Sequence, residues 1–138
     1  MLIDGDELRR GLSRDLGFSA DDRDENVRRA GEIALLASRQ GTTAVVSLIS
    51  PRASARRAVR ARHESEGVHF FEVFVSTPIE VCEARDEKSL YQRARAGERL
   101  ALTGVDDPYE TPEHAEITIS TEHVSPGEAA REILAHLN

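Results

Sequence analysis

This 138-residue chain has no tryptophan and one each of cysteine, methionine and lysine. The single cysteine, Cys82, excludes an internal disulfide framework and a cysteine-built zinc site. A reducing, cytoplasmic compartment is therefore expected. Long apolar runs are also missing: Phe70 to Val75 is interrupted by Glu72, and nothing approaches the about 20 apolar residues of a membrane-crossing helix. Met1-Leu2-Ile3 carries no basic residues ahead of an apolar stretch, so the pattern of a secretory signal is not visible. Acidic residues outnumber basic ones, 25 to 18. The net charge is −7 and the isoelectric point near 5.2, which argues against nucleic acid as a partner, since phosphate neutralisation needs a basic surface.

What is present is globular. Apolar residues make up 39% and charged residues 31% of the chain, enough to form a core without disulfides or metal. Of 18 basic residues only Lys88 is lysine; the rest are arginine, a residue suited to gripping phosphate or sulfate with both arms. The densest run, Arg52, Arg56, Arg57, Arg60 and Arg62, scatters around a helix and reads as a solvated face.

Short apolar runs alternate with helical segments, the pattern of an α/β domain with a parallel sheet. Met1–Ile3 reads as a strand ending at Asp4-Gly5-Asp6, followed by a short helix over Glu7–Leu12. Ser19-Ala20-Asp21-Asp22 opens a helix running to about Gln40, with Val27, Ala30, Ile33, Ala34 and Ala37 on its buried face and Gly41 as its stop. Thr43–Ile49 reads as a strand buried on both faces, ending at Ser50-Pro51. A basic helix over Ala53–Glu64 and a strand over His69–Val75 follow. Thr77-Pro78 starts another helix. Residues 86–112 are polar and glycine-containing, with a short helix around Leu90–Ala96, and read as a mobile lid. Ile117–Ser120 is a last strand. Ser125-Pro126 caps an amphipathic helix carrying Ala129, Ile133, Leu134 and Leu137.

Ligands of parallel α/β sheets bind at the carboxyl edge of the strands, where Asp4-Gly5-Asp6 falls. Two carboxylates there can hold Mg²⁺ through water, or one can accept a proton from an attacking hydroxyl. A simple N-cap role for Asp6 accounts for the same residues. Arg9, Arg23, Asn26 and Arg29 beside a helix start suit a doubly charged anion, as well as a solvated face of alternating charge. Ser50 ends a strand without a visible base partner, and Cys82 reads as core. Lys88, Arg93, Arg95 and Arg99 place four cations on the lid segment, which is the equipment of phosphoryl transfer or simply an exposed loop.

Asp4-Gly-Asp-Glu-Leu-Arg9, Gly11-Leu-Ser-Arg-Asp-Leu-Gly-Phe18, Asp22-Arg-Asp-Glu-Asn26 with Arg28-Arg29, and Ile49-Ser-Pro51 occur in that order. Phe71-Glu-Val-Phe-Val75, Thr77-Pro78 with Glu80-Val-Cys82, Leu90-Tyr91, Ala94-Arg-Ala-Gly-Glu98, Thr103-Gly104 and Asp107-Pro-Tyr-Glu110 continue it. Together these blocks resemble the adenylylsulfate (APS) kinase family over essentially the whole chain. The resemblance implies transfer of the γ-phosphoryl of MgATP to the 3′-hydroxyl of APS, giving PAPS and ADP, in a cytoplasmic homodimer. It implies that Asp4 belongs to the magnesium and phosphate region and that Asp6 meets the 3′-hydroxyl as orienter or base. Arg9, Arg23 and Asn26 would hold the phosphosulfate end and Phe18 would stack on the adenine. Ile49, Ser50 and Lys88 would line the substrate pocket, with Ser50 a possible phosphoserine. Arg93 and Arg95 would belong to the nucleotide lid.

Three departures accompany the resemblance. Leu102 stands where the family has a phenylalanine stacking on the APS adenine; such stacking is worth roughly 1–3 kcal/mol per base. Gln92 and Leu100 replace lysines of the lid. Finally, G-x-x-x-x-G-K-[ST], the loop that cradles nucleotide phosphates, occurs nowhere in the sequence. In the family it lies between a first strand and helix, a unit of roughly 30 residues ahead of Asp-Gly-Asp. The expectation is one domain over 1–138: a three-layer α/β fold with a parallel sheet flanked by helices, P-loop kinase-like with the first strand and P-loop missing. The neighbours of that central strand would lose ladder partners and bury fewer apolar residues. Kinase activity of this chain alone is expected to be impaired. The alternative is a non-catalytic module that binds APS or PAPS.

Overall fold

The computed structural model describes residues 1–86, 89–98, 102–103 and 107–137. The chain divides into two compact units: Met1–Phe70 with Tyr109–Thr111, and Phe71–Pro108 with Pro112–Asn138.

In the first unit, β1 (Leu2–Asp4) leads directly into α1 (Gly5–Arg10), and α2 (Ala20–Arg39) precedes β2 (Val45–Ser47) and α3 (Ala53–Glu64). β1 and β2 pair in parallel, with Leu2 opposite Val45, Ile3 opposite Val46 and Asp4 opposite Ser47. Helix α2 starts where its cap chemistry says it should: Ser19 Oγ accepts the Asp22 N–H at 3.2 Å and donates to the Asp22 carboxylate at 2.7 Å. It ends where Gly41 turns left-handed at φ +78°, letting Thr42 N–H return to Ala37 O at 3.1 Å. Between these ends, Val27, Ala30, Gly31, Ala34 and Leu35 are buried. Ala30 and Ala34 close on Ile3 of β1, with Leu8, Ile33, Ala44 and Leu48 around them. Small residues at that spacing let the helix lie close against the strand.

The strand expected over Thr43–Ile49 is shorter and differently placed in its environment. Only Val45–Ser47 is extended in a ladder, and all three residues are exposed, Val45 at 57%. Among the described residues β2 pairs on one edge only, with β1, so its apolar side chains lack the second flank that would cover them. The arginine run of α3 is also not simply solvated. Arg56 is buried, Arg60 lies 4.9 Å from the Phe70 ring centroid, Arg52 pairs with Asp24 at 3.1 Å, and Arg62 reaches Glu66 at 2.6 Å.

The second unit contains β3 (Val73–Val75), α4 (Ile79–Arg85), α5 (Leu90–Arg95), β4 (Ile117–Ile119) and α6 (Pro126–His136). β3 and β4 are again parallel, Val73 opposite Ile117 and Val75 opposite Ile119. Thr77 Oγ1 accepts the Thr121 N–H at 2.9 Å, and Arg85 donates to Thr121 O at 2.6 Å, tying the strand exits together. Asp86 caps α5 by accepting from the N–H groups of Tyr91 and Gln92 at 3.2 and 3.0 Å. Ser125 and Glu128 form a reciprocal capping box with Pro126 in the first turn of α6. Of the expected apolar face of α6, Ala129 is buried and Ile133 half-buried, but Leu134 and Leu137 are exposed at 58% and 45%. The reason is length: the 11-residue helix spans about 16 Å, whereas the three-residue strand β4 offers about 10 Å to pack against.

Helices α2 and α3 meet at Gly31, where a Cβ would stand 2.8 Å from Val59 Cγ1 and 3.1 Å from Cγ2. Val59 is β-branched and stiff in a helix, so it cannot swing away. Gly31→Ala gains roughly 1 kcal/mol of helix propensity but forces an overpacking cost of about 1–3 kcal/mol. A net loss of about 1 kcal/mol is expected in urea denaturation. In a Val59→Ala background the same substitution should become stabilising.

Candidate functional site

The carboxyl edge of the β1–β2 pair gathers most of the residues read as functional. Strand β1 ends at Asp4, whose Oδ1 accepts the N–H groups of Asp6 at 2.9 Å and Glu7 at 3.2 Å. The N-cap of α1 is therefore Asp4, two residues earlier than the sequence suggests, and Asp6 stands in the first helical turn with its side chain exposed. Gly5 lies close against β2: a Cβ there would stand 2.5 Å from Leu48 Cδ2, forcing that side chain to move, and 3.4 Å from Ser47 O. That close approach sets the Asp4–Asp6 turn against the end of β2, from which Ile49 and Ser50 continue. Ile49 is 60% exposed.

A second cluster adjoins α1 and the start of α2. Arg9 donates to Gly17 O at 2.7 Å, and its guanidinium lies 4.5 Å from the Phe18 ring centroid. Arg23, buried, donates through Nε to Phe18 O at 3.0 Å and lies 5.8 Å from the same ring. Burial, and then the charge of Arg23, lowers the pKa of Arg9, while Asp22 and Asp6 act in the opposite sense; an arginine so placed stays charged at neutral pH. Phe18 keeps 57% of its surface open. Two guanidinium groups converging beside an open aromatic ring favour a planar ligand bearing negative charge. One turn along α2, Asn26 is 4% exposed, and its Oδ1 is buried with no hydrogen-bond partner among the described residues. A buried acceptor without a donor costs about 1–3 kcal/mol, a cost a ligand donor or a water would offset.

The loop carrying Phe18 is braced by Arg29. Its guanidinium donates to Leu12 O at 2.8 Å, to both Asp15 carboxylate oxygens at 2.6 and 2.9 Å, and to Glu25 at 2.9 Å. These bonds raise the pKa of Arg29 and lower that of Asp15. Hydrogen bonds from Arg28 and then Arg29 hold the Glu25 carboxyl down at about 2. The sequence pairs Arg29 with the anion-binding residues; its donors are engaged by the protein instead.

Ser50 turns at φ +45°, a left-handed conformation for a residue other than glycine. Such strain costs of order 1–3 kcal/mol and persists only where neighbours enforce it. The enforcing groups, Arg56, Tyr109 and Glu110, are absent from the sequence-level list of site residues, although Glu110 stands in the Asp107-Pro-Tyr-Glu110 block. Arg93, Arg95 and Leu102 belong to the second unit. Arg93 and Arg95, read as lid cations, are held by Glu98 and Glu83 respectively. Leu102 is half-buried, its carbonyl accepting the Asp107 N–H at 3.3 Å. Lys88 lies outside the described residues. Among the described residues no group of three or more His, Cys, Asp or Glu side chains converges as a metal cage. Asp4 Oδ1 is engaged as the cap of α1 by the N–H groups of Asp6 and Glu7.

Parallel strands connected through helices, with Asp4 closing β1, make this an α/β protein. The family model for adenylylsulphate kinase matches residues 1–120. An adenylyl-sulfate kinase of Shewanella pealeana is 53% identical over 99% of this chain and 64% of its own length. That of Paraburkholderia xenovorans is 47% identical over 99% of this chain and 75% of its own. Among solved structures, the Mycobacterium tuberculosis APS kinase CysC in complex with AMPPNP and APS superposes with a TM-score of 0.94 at 44% identity, covering 99% of this chain and 78% of that one. The hexameric APS kinase from Thiobacillus denitrificans gives 0.72 at 34% identity, covering 99% of this chain and 22% of that one. The chain belongs to the adenylylsulphate kinase family. It spans about two thirds of the length of the Shewanella relative.

The Glu25 brace has a pH signature. A carboxyl whose pKa is depressed from 4.5 to about 2 contributes stability that is fully present above 4.5 and is lost as pH falls toward 2. Denaturation midpoints measured from pH 6 down to pH 2.5 should fall across that window in the parent chain. The acid-side slope should be shallower in Glu25→Gln, and an unchanged slope would remove the brace from the account.

Proposed function

We propose that the chain is an adenylylsulfate kinase polypeptide whose first unit binds adenosine 5′-phosphosulfate and presents its 3′-hydroxyl for phosphorylation by ATP. The observation that carries this reading is the open Phe18 ring with the Arg9 and Arg23 guanidinium groups 4.5 and 5.8 Å from its centroid, Arg9 itself lying within the field of the exposed Asp6 carboxylate. The adenine would stack on the face of Phe18 away from Arg9. Arg9, Arg23 and Asn26 would grip the phosphosulfate, and Ile49 and Ser50 would line the pocket; the family resemblance assigns Lys88 and Leu102 to the substrate as well. Asp6 would orient the 3′-hydroxyl and accept its proton. Phosphoryl transfer asks little covalent chemistry of the protein, so positioning and charge are the main contributions. Arg93 and Arg95 would leave their carboxylate partners to meet nucleotide phosphates. Mg²⁺ is proposed as the ion that accompanies ATP. A cytoplasmic homodimer, and Ser50 as a phosphate acceptor, complete the proposal.

Calorimetry of APS binding to the full chain, with assay of PAPS from ATP and APS, tests it. APS should bind, and Phe18→Ala should weaken it by about 10- to 100-fold, the equivalent of roughly 1–3 kcal/mol of stacking. Asp6→Asn should leave binding intact and lower any turnover by about 10²- to 10⁴-fold. Binding without turnover in the parent chain would favour the non-catalytic module. No APS binding at millimolar concentration would overturn both readings.

A further inference from the structure

The strained turn at Ser50 is held by Arg56 of α3 together with Tyr109 and Glu110 from far along the chain. Arg56, only 8% exposed, reaches back from the first turns of α3 and donates through Nη1 to Ser50 O at 2.7 Å. Its Nη2 donates to Glu110 O at 2.6 Å, and its guanidinium lies 5.5 Å from the Tyr109 ring centroid. Glu110 answers from the other side. Its N–H donates to Pro51 O at 2.9 Å, and its carboxylate accepts the Ala53 N–H at the start of α3 at 2.6 Å. Helix α3 has no side-chain cap of its own from Arg52, so Glu110 supplies the acceptor that the helix start requires. Residues Tyr109–Thr111 join the first unit although their chain neighbours on both sides belong to the second. They therefore act as a strap across the end of β2.

We infer that Arg56 and Glu110 form a two-sided clamp that positions the Ile49-Ser50-Pro51 turn for the sulfonucleotide, so that Arg56 is a positioning residue for APS. The clamp uses what is particular to arginine: a planar fork satisfies two backbone carbonyls at once while its face rests on Tyr109. A lysine keeps the charge but cannot bridge both carbonyls in that plane. The inference rests on the proposed binding of APS by this edge.

The test is a double-variant cycle on the full chain, read by APS calorimetry and by amide hydrogen exchange without ligand. Arg56→Lys should weaken APS binding by about tenfold, the scale of one charge-assisted hydrogen bond. It should also speed exchange at the amides of Ala53 and Glu110 while leaving α2 protected. Glycine adopts the left-handed conformation without a holder. In a Ser50→Gly background the added Arg56→Lys should therefore cost less than about threefold in affinity, a coupling expected only between partners in one device. A merely structural role for Arg56 would give the same loss in both backgrounds, and that result overturns the inference. So does an Arg56→Lys chain that binds APS as the parent does, or whose Ala53 and Glu110 amides exchange unchanged. If the parent chain binds no APS, the proposed function fails and the ligand role of Arg56 fails with it, while the exchange rates still decide whether the clamp holds the turn.

Discussion

The ladder from Leu2 opposite Val45 to Asp4 opposite Ser47 brings two strand ends into register. Both strands run the same way, so both leave the pair at one edge, and the Asp4-Gly5-Asp6 turn and the Ile49-Ser50-Pro51 turn become neighbours. Parallel pairing is what makes this possible, because it gathers carboxyl ends where ligands of α/β sheets bind. Gly5 allows the approach, and a side chain there would strike Leu48. Ala30 and Ala34 of α2 then seat against Ile3 from one side. The same helix carries Arg23 and Asn26 on its first turns, so the packing that fixes the strand pair also fixes the residues proposed to hold the anion.

Arginine plays two parts in this chain, and only tertiary structure separates them. Arg9 and Arg23 converge beside an aromatic ring that remains open. Arg29 and Arg56 have similar residue chemistry, but their guanidinium groups are committed to protein carbonyls and carboxylates. With lysine nearly absent, the planar fork serves for bracing and, in the proposed function, for binding. Fork geometry suits this double use, since it matches phosphate, sulfate, carboxylate and paired carbonyls alike.

Local signals in the sequence were legible and held. Ser19 caps α2, Gly41 stops it, α3 runs over Ala53–Glu64, and Ser125 with Glu128 boxes α6. Each depends on residues a few positions apart, where hydrogen bonds are dictated by the chain itself. The edge carboxylates and the Arg9, Phe18 and Arg23 cluster were legible through the family blocks that contain them. What could not be read depends on distant partners. Asp4 and Asp6 compete for one cap, and the backbone path out of β1 decides for Asp4. The apolar composition of Thr43–Ile49 implies covering on both faces, yet burial is set by neighbouring strands rather than by composition. The solvated reading of Arg56 fails because Tyr109 and Glu110 arrive from far along the chain.

Serine at position 50 adopts a conformation glycine would take without strain. Glycine there would leave the turn freer, since it tolerates many conformations, and would remove a hydroxyl from the strand end. Serine with a clamp gives one defined turn, at the cost of an unfavourable φ that Arg56 and Glu110 must offset. Strain confined by long-range contacts at a ligand-facing edge is the pattern of a preorganised site. A turn that needed only to reverse the chain would have no use for the buried charge that holds it.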